Sequence, residues 1–204
     1  MKLVQVTNNK TEKRFIDFPR QLYKNDPNHV LAFDSDIRKA FSRKENSYFS
    51  HGDARRWFVE DGKGKTLGRI AAFYDIEKDD ADYVKSGGCG FFESINDQQV
   101  AYMLFDIAKK WLHEKGYDAM TGPINFGEND TNWGCLVQGF VPQAYGMNYN
   151  LPYYKELFES YGFKLYYRQL SFHIDREKPF PDRFWRIAER VANNPEYSFE
   201  NFSF

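Results

Sequence analysis

The sequence predicts an α+β fold, an α-β-α sandwich in which a mixed, twisted central sheet carries helices on both faces. Three stretches predict it. Residues 56–60 and 67–74 flank the turn Asp61-Gly62-Lys63-Gly64-Lys65, a strong hairpin signal. Residues 87–93, a helical pattern opening at Asn96 or Asp97, and residues 118–123 read as strand, helix, strand, a unit that is normally parallel and right-handed. Residues 149–174 read as a helix, a sharp stop and a long strand.

Each element has its own reason. Residues 2–6 alternate weakly, as a short first strand does. From about Asn9, the side chains Phe15, Phe18, Leu22 and Tyr23 share one helical face, and Pro19 inside it predicts a kink or two short helices. Asn25-Asp26-Pro27 is a turn. Asp34-Ser35 offers a cap for a short helix over residues 37–41. Residues 42–53 are polar, with Tyr48 and Phe49 as anchors. In the second hairpin arm residues 67–73 read as buried, and residues 75–85 as a charged surface loop. With Asn96 as cap, Gln99 takes the third position of the long helix, a capping box. Val100, Leu104, Ile107, Ala108, Trp111 and Leu112 form its apolar face. Lys109, Lys110, His113 and Lys115 crowd its C-terminal end, as the helix dipole favours.

Residues 124–150 show no steady period and hold five asparagines and four glycines. That is too long for an idle connector. A binding loop is expected, in which Trp133, Phe140, Tyr145 and Met147 want burial. Beyond it Pro152 suits a first helical turn. Tyr154, Leu157, Phe158 and Tyr161 make one stripe, Gly162 takes the left-handed position past the helix end, and Phe163 packs back. Residues 164–174, rich in β-branched and aromatic side chains, read as a strand. Pro179 and Pro181 punctuate, and Phe184, Ile187, Ala188 and Val191 mark a last helix. Residues 197–204 are aromatic-rich and strand-like. A strand needs a partner, so either a swap onto a second subunit in a homodimer or a longer natural chain is expected. The division expected is 1–175 for the main domain and 176–204 for a C-terminal helix and strand-like extension, the start of a second part.

Bulk properties exclude several function classes. The 204 residues suffice for one domain plus an appendage. Twenty-eight basic against 29 acidic side chains argue against a nucleic-acid or anionic-membrane binder. No apolar run nears the length of a membrane span, and MKLVQVTNNK lacks the apolar core of a signal peptide. Cys89 and Cys135 fit no zinc spacing, so a reducing cytoplasm is the default and both read as structural thiols. The histidines at 29, 51, 113 and 173 form no helical i, i+4 pair, so no metal site is expected. Gly87-Gly88-Cys89-Gly90 precedes a strand instead of following one, which excludes a dinucleotide fingerprint. Aromatic side chains reach 19%, enough to fill the core and still line a pocket or interface.

The order of elements, the hairpin ending in Gly68-Arg69-Ile70-Ala71 and the helix ending in Tyr161-Gly162-Phe163 resemble the GNAT superfamily of acyl-CoA-dependent N-acyltransferases. Leu22-Tyr23 with Asp26-Pro27, Gly90-Phe91-Phe92-Glu93, Gly122-Pro123 and Tyr149-Asn150 with Pro152-Tyr153-Tyr154 look like a little-characterised bacterial branch whose members tend to be longer. The resemblance covers roughly residues 2–174. It implies acetyl transfer, or transfer of another acyl group, from acyl-CoA to a small-molecule amine acceptor, without a metal. Two central parallel strands would splay apart around the co-substrate. Gly90, Phe91 and Phe92 would then face the pantetheine, with Tyr154 as pocket wall. The start of the long helix, with Ser94, Asn96 and Asp97, would hold the pyrophosphate.

The chain departs from the family pattern twice. Residues 93–99 contain no glycine and carry two carboxylates, which repel a diphosphate. The tyrosine usual four residues before the Gly of Gly-Phe is Phe158 here, which cannot protonate a leaving thiolate. Tyr153, Tyr154 or Tyr161 could substitute for it, and the candidate catalytic residues are Glu93, as general base, and Tyr153, as acid or pocket wall. The plain alternatives are a solvated carboxylate and a packing tyrosine. Asn125, Asn129, Asn132 and Tyr149 are candidates for the acceptor, although asparagine equally serves turns; Glu128 and Asp130 add acidity suited to a cationic amine. The alternative reading of the whole chain is a catalytically inactive GNAT-like binding or interaction module.

Overall fold

Asp61 builds the central hairpin. In the computed structural model its Oδ1 accepts the backbone N–H groups of Lys63 and Lys65, both at 2.8 Å, and folds the turn between β2 (Gly52–Glu60) and β3 (Thr66–Asp75). The structure describes residues 1–78, 84–127, 131–172, 174–175, 177–198 and 200. β1 (Lys2–Gln5) pairs antiparallel with β2 on one side. β4 (Ser86–Ser94) pairs antiparallel with β3 on the other. β5 (Ala119–Thr121) pairs parallel with β4, so the sheet is mixed, in the order β1-β2-β3-β4-β5.

Alternation along the strands sends side chains to two cores. Ala71 and Phe73 point to the face covered by α1 (Asn9–Leu22) and α2 (Asp34–Ala40), where they meet Phe15, Ile16, Ile37 and Phe126. Trp57, Val59, Ile70 and Ala72 point to the other face, covered by α3 (Gln98–Glu114) and α4 (Tyr154–Tyr161), where they meet Leu104, Phe105, Trp111 and Phe158. The expected mixed sheet with helices on both faces is the architecture found. Leu104 is fully buried in the second core. Leu104→Ala is expected to cost about 3 kcal/mol, read as a fall in Tm of roughly 6–12 °C.

Several local expectations are corrected. Pro19 does not split α1 into two short helices: the helix runs unbroken through it, and in the last turn Tyr23 N–H still reaches the Pro19 carbonyl at 2.9 Å. The helix start is fixed by Asn8 and Thr11, each side chain bonding the other's backbone N–H. α2 starts at Asp34 with no side-chain cap. α3 is capped by Asp97, whose Oδ1 accepts from Gln99 N and Val100 N, so Asn96 and Gln99 form no capping box. Gly162 does take the left-handed turn past α4, at φ 115°. Residues 164–172 form no strand. Leu165, Tyr166 and Phe172 are exposed, and β structure exists only where a ladder partner does.

Two units divide the chain, Met1–Tyr166 and Tyr167–Phe204. The second contains α5 (Asp182–Ala192), at whose start Phe180 and Phe184 stack at 4.7 Å. Of the strand-like stretch expected at 197–204, Phe199 and residues 201–204 lie outside the described residues, and Tyr197 and Ser198 are in no strand.

Candidate functional site

The far end of β4 places Glu93 where α1 and α4 converge. A register shift opposite Arg69 and Ala71 bulges the strand, and Phe91 takes φ 50°, a conformation uncommon for a residue with a Cβ. Glu93 pairs with Arg69 across the β3–β4 ladder. Its Oε2 accepts the hydroxyls of Tyr23, past the end of α1, and Tyr154, from α4, both at 2.7 Å. Its Oε1 lies 3.8 Å from Arg69 Nη2, and the Glu93 side chain is 13% exposed. Burial pushes this carboxyl above the usual range, while the Arg69 charge and the two tyrosine hydrogen bonds pull it partly back.

The surrounding rings extend the cluster. Tyr23 stacks on His29 at 3.8 Å, and Tyr149 meets Tyr23 edge-on at 6.0 Å. Burial lowers the His29 imidazole, with Asp26 opposing, so the ring is held towards its neutral form. Tyr149 donates to Asp26 Oδ2 at 2.8 Å, and burial raises its hydroxyl to about 12. Tyr153 donates to the Ser94 carbonyl at 2.6 Å, while Ser94 N–H donates to the Tyr154 hydroxyl at 2.9 Å. Two consecutive tyrosines thus close the β4 edge at Ser94, where a neighbouring strand would otherwise bond. Burial raises both phenols.

The splay lies on this same edge. β4 and β5 stay paired only from Ser86 to Gly88, opposite Ala119 to Thr121. At Cys89 the chain crosses over, and Ile124 N–H donates to the Cys89 carbonyl at 2.9 Å. Backbone therefore sits against Gly90, the tyrosine hydroxyls sit at Ser94, and Phe91 to Glu93 lie between. Phe91 packs on Phe41 at 4.7 Å; Phe92 points into the opposite core, against Phe105 and Phe158.

A hollow of about 100 Å³ opens beside the cluster, lined by Phe91, Asn125, Asn132, Met147 and Tyr149. It has room for about three waters. Three of the four candidate acceptor residues thus share one wall; Asn129, with Glu128 and Asp130, lies outside the described residues. A larger hollow of about 260 Å³ near Arg43 and Arg56 is less suited to chemistry, because these guanidiniums already pair with Asp53 and Glu12.

The 124–150 loop is held by amides to which the sequence assigned no such role. Asn150 brackets Leu136 with bonds of 2.6 and 3.0 Å, Asn148 donates to the Gly134 carbonyl, and Asn46 donates to the Phe126 carbonyl. Tyr145 and Met147, expected to be buried, are exposed, and the Tyr145 hydroxyl bonds Asp36 instead. Cys89 is buried and pushed up to about 12, and Cys135 to about 11. At the opposite end of the sheet His51 Nδ1 lies 2.6 Å from Asp75 and its Nε2 3.8 Å from Glu77, a group that sequence spacing could not reveal.

The start of α3 does not fit a diphosphate as it stands. Its Gln99 and Val100 N–H groups are already held by the Asp97 carboxylate, and an incoming anion would have to displace it. Asn96 is exposed, and Ser94 Oγ is turned onto the Ile95 carbonyl.

Comparison with known proteins gives partial relatives. No protein-family model matches the chain. It is 31% identical over 163 residues to Protein YghO of Escherichia coli, covering 79% of this chain and 41% of that protein. It is 28% identical over 180 residues to a bacterial ceramide synthase of Caulobacter vibrioides, covering 87% and 45%. The chain thus spans less than half the length of these curated relatives. Among solved structures it is similar to a ribosomal-protein-alanine N-acetyltransferase from Brucella melitensis, with TM-score 0.47, 8% identity and coverage of 85% and 100%. It is also similar to a GNAT-family acetyltransferase from Staphylococcus aureus, with TM-score 0.41, 14% identity and coverage of 61% and 74%. Among the described residues no helix is long and apolar enough to cross a membrane. In its strand order, its parallel β4–β5 pair that parts beyond Gly88, and α4 ending at Gly162, the chain resembles the GNAT superfamily.

Proposed function

We propose that this chain is an N-acyltransferase that joins an acyl group, acetyl in the simplest case, to an amine, with acyl-CoA as donor. The observation that supports this most is the Glu93 carboxyl. It is largely buried, raised by burial, oriented by two tyrosine hydroxyls, and one aromatic pair away from a small hollow that Asn125, Asn132 and Tyr149 help to line. Such a group suits removal of a proton from an amine, directly or through one water. The donor supplies an activated carbonyl; the chain binds and orients the amine and takes its proton. Asn125, Asn132 and Tyr149 are the side chains proposed to hold the amine, with Asn129 assigned to the same role from sequence. Tyr153 is the proposed proton donor to the leaving thiolate, for which its hydroxyl must leave the Ser94 carbonyl. Phe91 and Phe92 flank the stretch of β4 edge proposed for the donor, between the Ile124 backbone at Gly90 and the hydroxyls at Ser94.

The name of one relative adds direction. Ceramide formation joins an acyl group to an amine nitrogen, which is the same class of reaction. A long-chain amino alcohol is therefore the acceptor to try beside simple amines, with only its amine-bearing head in the hollow. The proposed compartment is the cytoplasm, where unpaired thiols such as Cys89 and Cys135 persist.

One observation favours a second reading, a GNAT-like binding module without acyl-CoA: Asp97 already fills the anion site of α3. Calorimetric titration of acetyl-CoA and CoA separates the two. Micromolar binding is expected, severalfold tighter in Asp97→Ser, which keeps a helix cap and removes the competing charge. Absence of binding at millimolar ligand in both chains would instead support the binding module.

A further inference from the structure

We propose that Pro19 is a positioning residue for Glu93: lacking an amide N–H, it leaves the Phe15 carbonyl to Arg69, and that hydrogen bond fixes the Arg69 guanidinium beside the Glu93 carboxylate. In an α-helix the carbonyl of residue 15 accepts from the N–H of residue 19. Proline has none. The released Phe15 carbonyl accepts from Arg69 Nη1 at 2.8 Å. The same guanidinium lies over the Phe15 ring at 4.8 Å, and its Nη2 faces Glu93 Oε1 at 3.8 Å. Arg69 is 5% exposed, and its Nε finds no partner among the described residues. A buried cation so sparsely bonded depends heavily on each bond it has.

The end of α1 therefore reaches Glu93 twice. Tyr23 bonds the carboxylate directly, and the Phe15 carbonyl acts through Arg69. The charged and titratable groups facing Glu93 are Arg69 from β3, Tyr23 from the α1 end, and Tyr153 and Tyr154 at α4. Arg20 and His29 feel the charge of Arg69 in turn. Among these groups Arg69 is the one whose charge favours the ionised carboxylate. If residue 19 offered an N–H, it would compete for the Phe15 carbonyl, and the guanidinium would be freer to leave Glu93.

The experiment is an NMR titration of the Glu93 side-chain carboxyl, with glutamate labelled with carbon-13, in wild type, Pro19→Ala, Pro19→Val, Arg69→Met and the Pro19→Ala/Arg69→Met double variant. Pro19→Val nearly keeps the buried volume while restoring the N–H. Both Pro19 variants are expected to raise the Glu93 midpoint by about one pH unit, the order of effect of one nearby opposite charge. Both are also expected to remain folded, since the helix gains an N–H donor as Arg69 loses one acceptor. In the Arg69→Met background, Pro19→Ala is expected to add nothing. An unmoved midpoint, an equal shift without Arg69, or loss of folding in both Pro19 variants would each overturn the proposal. The role of Glu93 as base rests on the acyltransferase reading, but this titration needs no substrate. Failure of that reading, seen as no turnover with any donor, would leave the result standing.

Discussion

Glu93→Gln is expected to lower kcat for amine acylation by about 100-fold or more while leaving donor affinity nearly unchanged, because a positioned general base typically contributes about 10²- to 10⁴-fold. The amide keeps the size of the carboxyl and can still accept from Tyr23 and Tyr154, while its NH2 group turns to Arg69, which loses its counter-charge. What the amide loses is the ability to take a proton. The rise of kcat/KM with pH, set in wild type by ionisation of Glu93, should vanish in the variant.

Stability should carry a matching signature. Burial raises Glu93 above its ordinary value, so the folded chain holds this proton to higher pH than the unfolded chain does. Its contribution to stability is therefore fully present below the ordinary carboxylate value and is lost as pH rises through the folded one. Wild-type Tm should fall relative to Glu93→Gln as pH rises from the ordinary carboxylate range through the raised value of the folded chain. Parallel Tm curves for the two proteins, together with full turnover in the variant, would remove Glu93 from the mechanism.

The sequence was most legible where a local pattern decides the structure. The hairpin around Asp61, the stripe of α3 and the Gly162 stop each depend on neighbours within a few residues, and each was found near its expected place. Glu93 could be proposed from the strand end it occupies. Its partners were less accessible. Tyr23 and Arg69 read as helix and strand residues, and nothing in their own neighbourhoods signals a carboxylate that lies 70 and 24 residues away, respectively. Pro19 was read through its usual effect on a helix, a kink. Its structural consequence lies in the carbonyl it leaves to another element. Residues 164–172 fail as a strand for a related reason: β-propensity belongs to a segment, whereas a strand belongs to a pair.

Gly90→Ala is expected to be the most damaging single-methyl change near the site. Gly90 lies on β4 where the pair with β5 has already parted, and a Cβ there would fall inside the Ile124 carbonyl oxygen. That obstacle is backbone, held in place by Ile124 N–H on the Cys89 carbonyl. A side chain could swing away, but this segment would have to move as a whole. Overpacking at such a point costs about 3 kcal/mol, or roughly 6–12 °C in Tm. Gly62→Ala is the matched control. Nothing lies within 4 Å of its added methyl, so a change within about 0.5 kcal/mol is expected. In protein that still folds, acceptor KM should rise more than donor KM, because Asn125 follows Ile124 directly and lines the hollow. An unchanged Tm in Gly90→Ala would mean that the 122–124 crossing does not press on β4. In the sequence Gly90 is one of a glycine cluster that announces only the entry to a strand. Its particular constraint is the carbonyl of a residue 34 positions later, brought there by the β4–α3–β5 crossover.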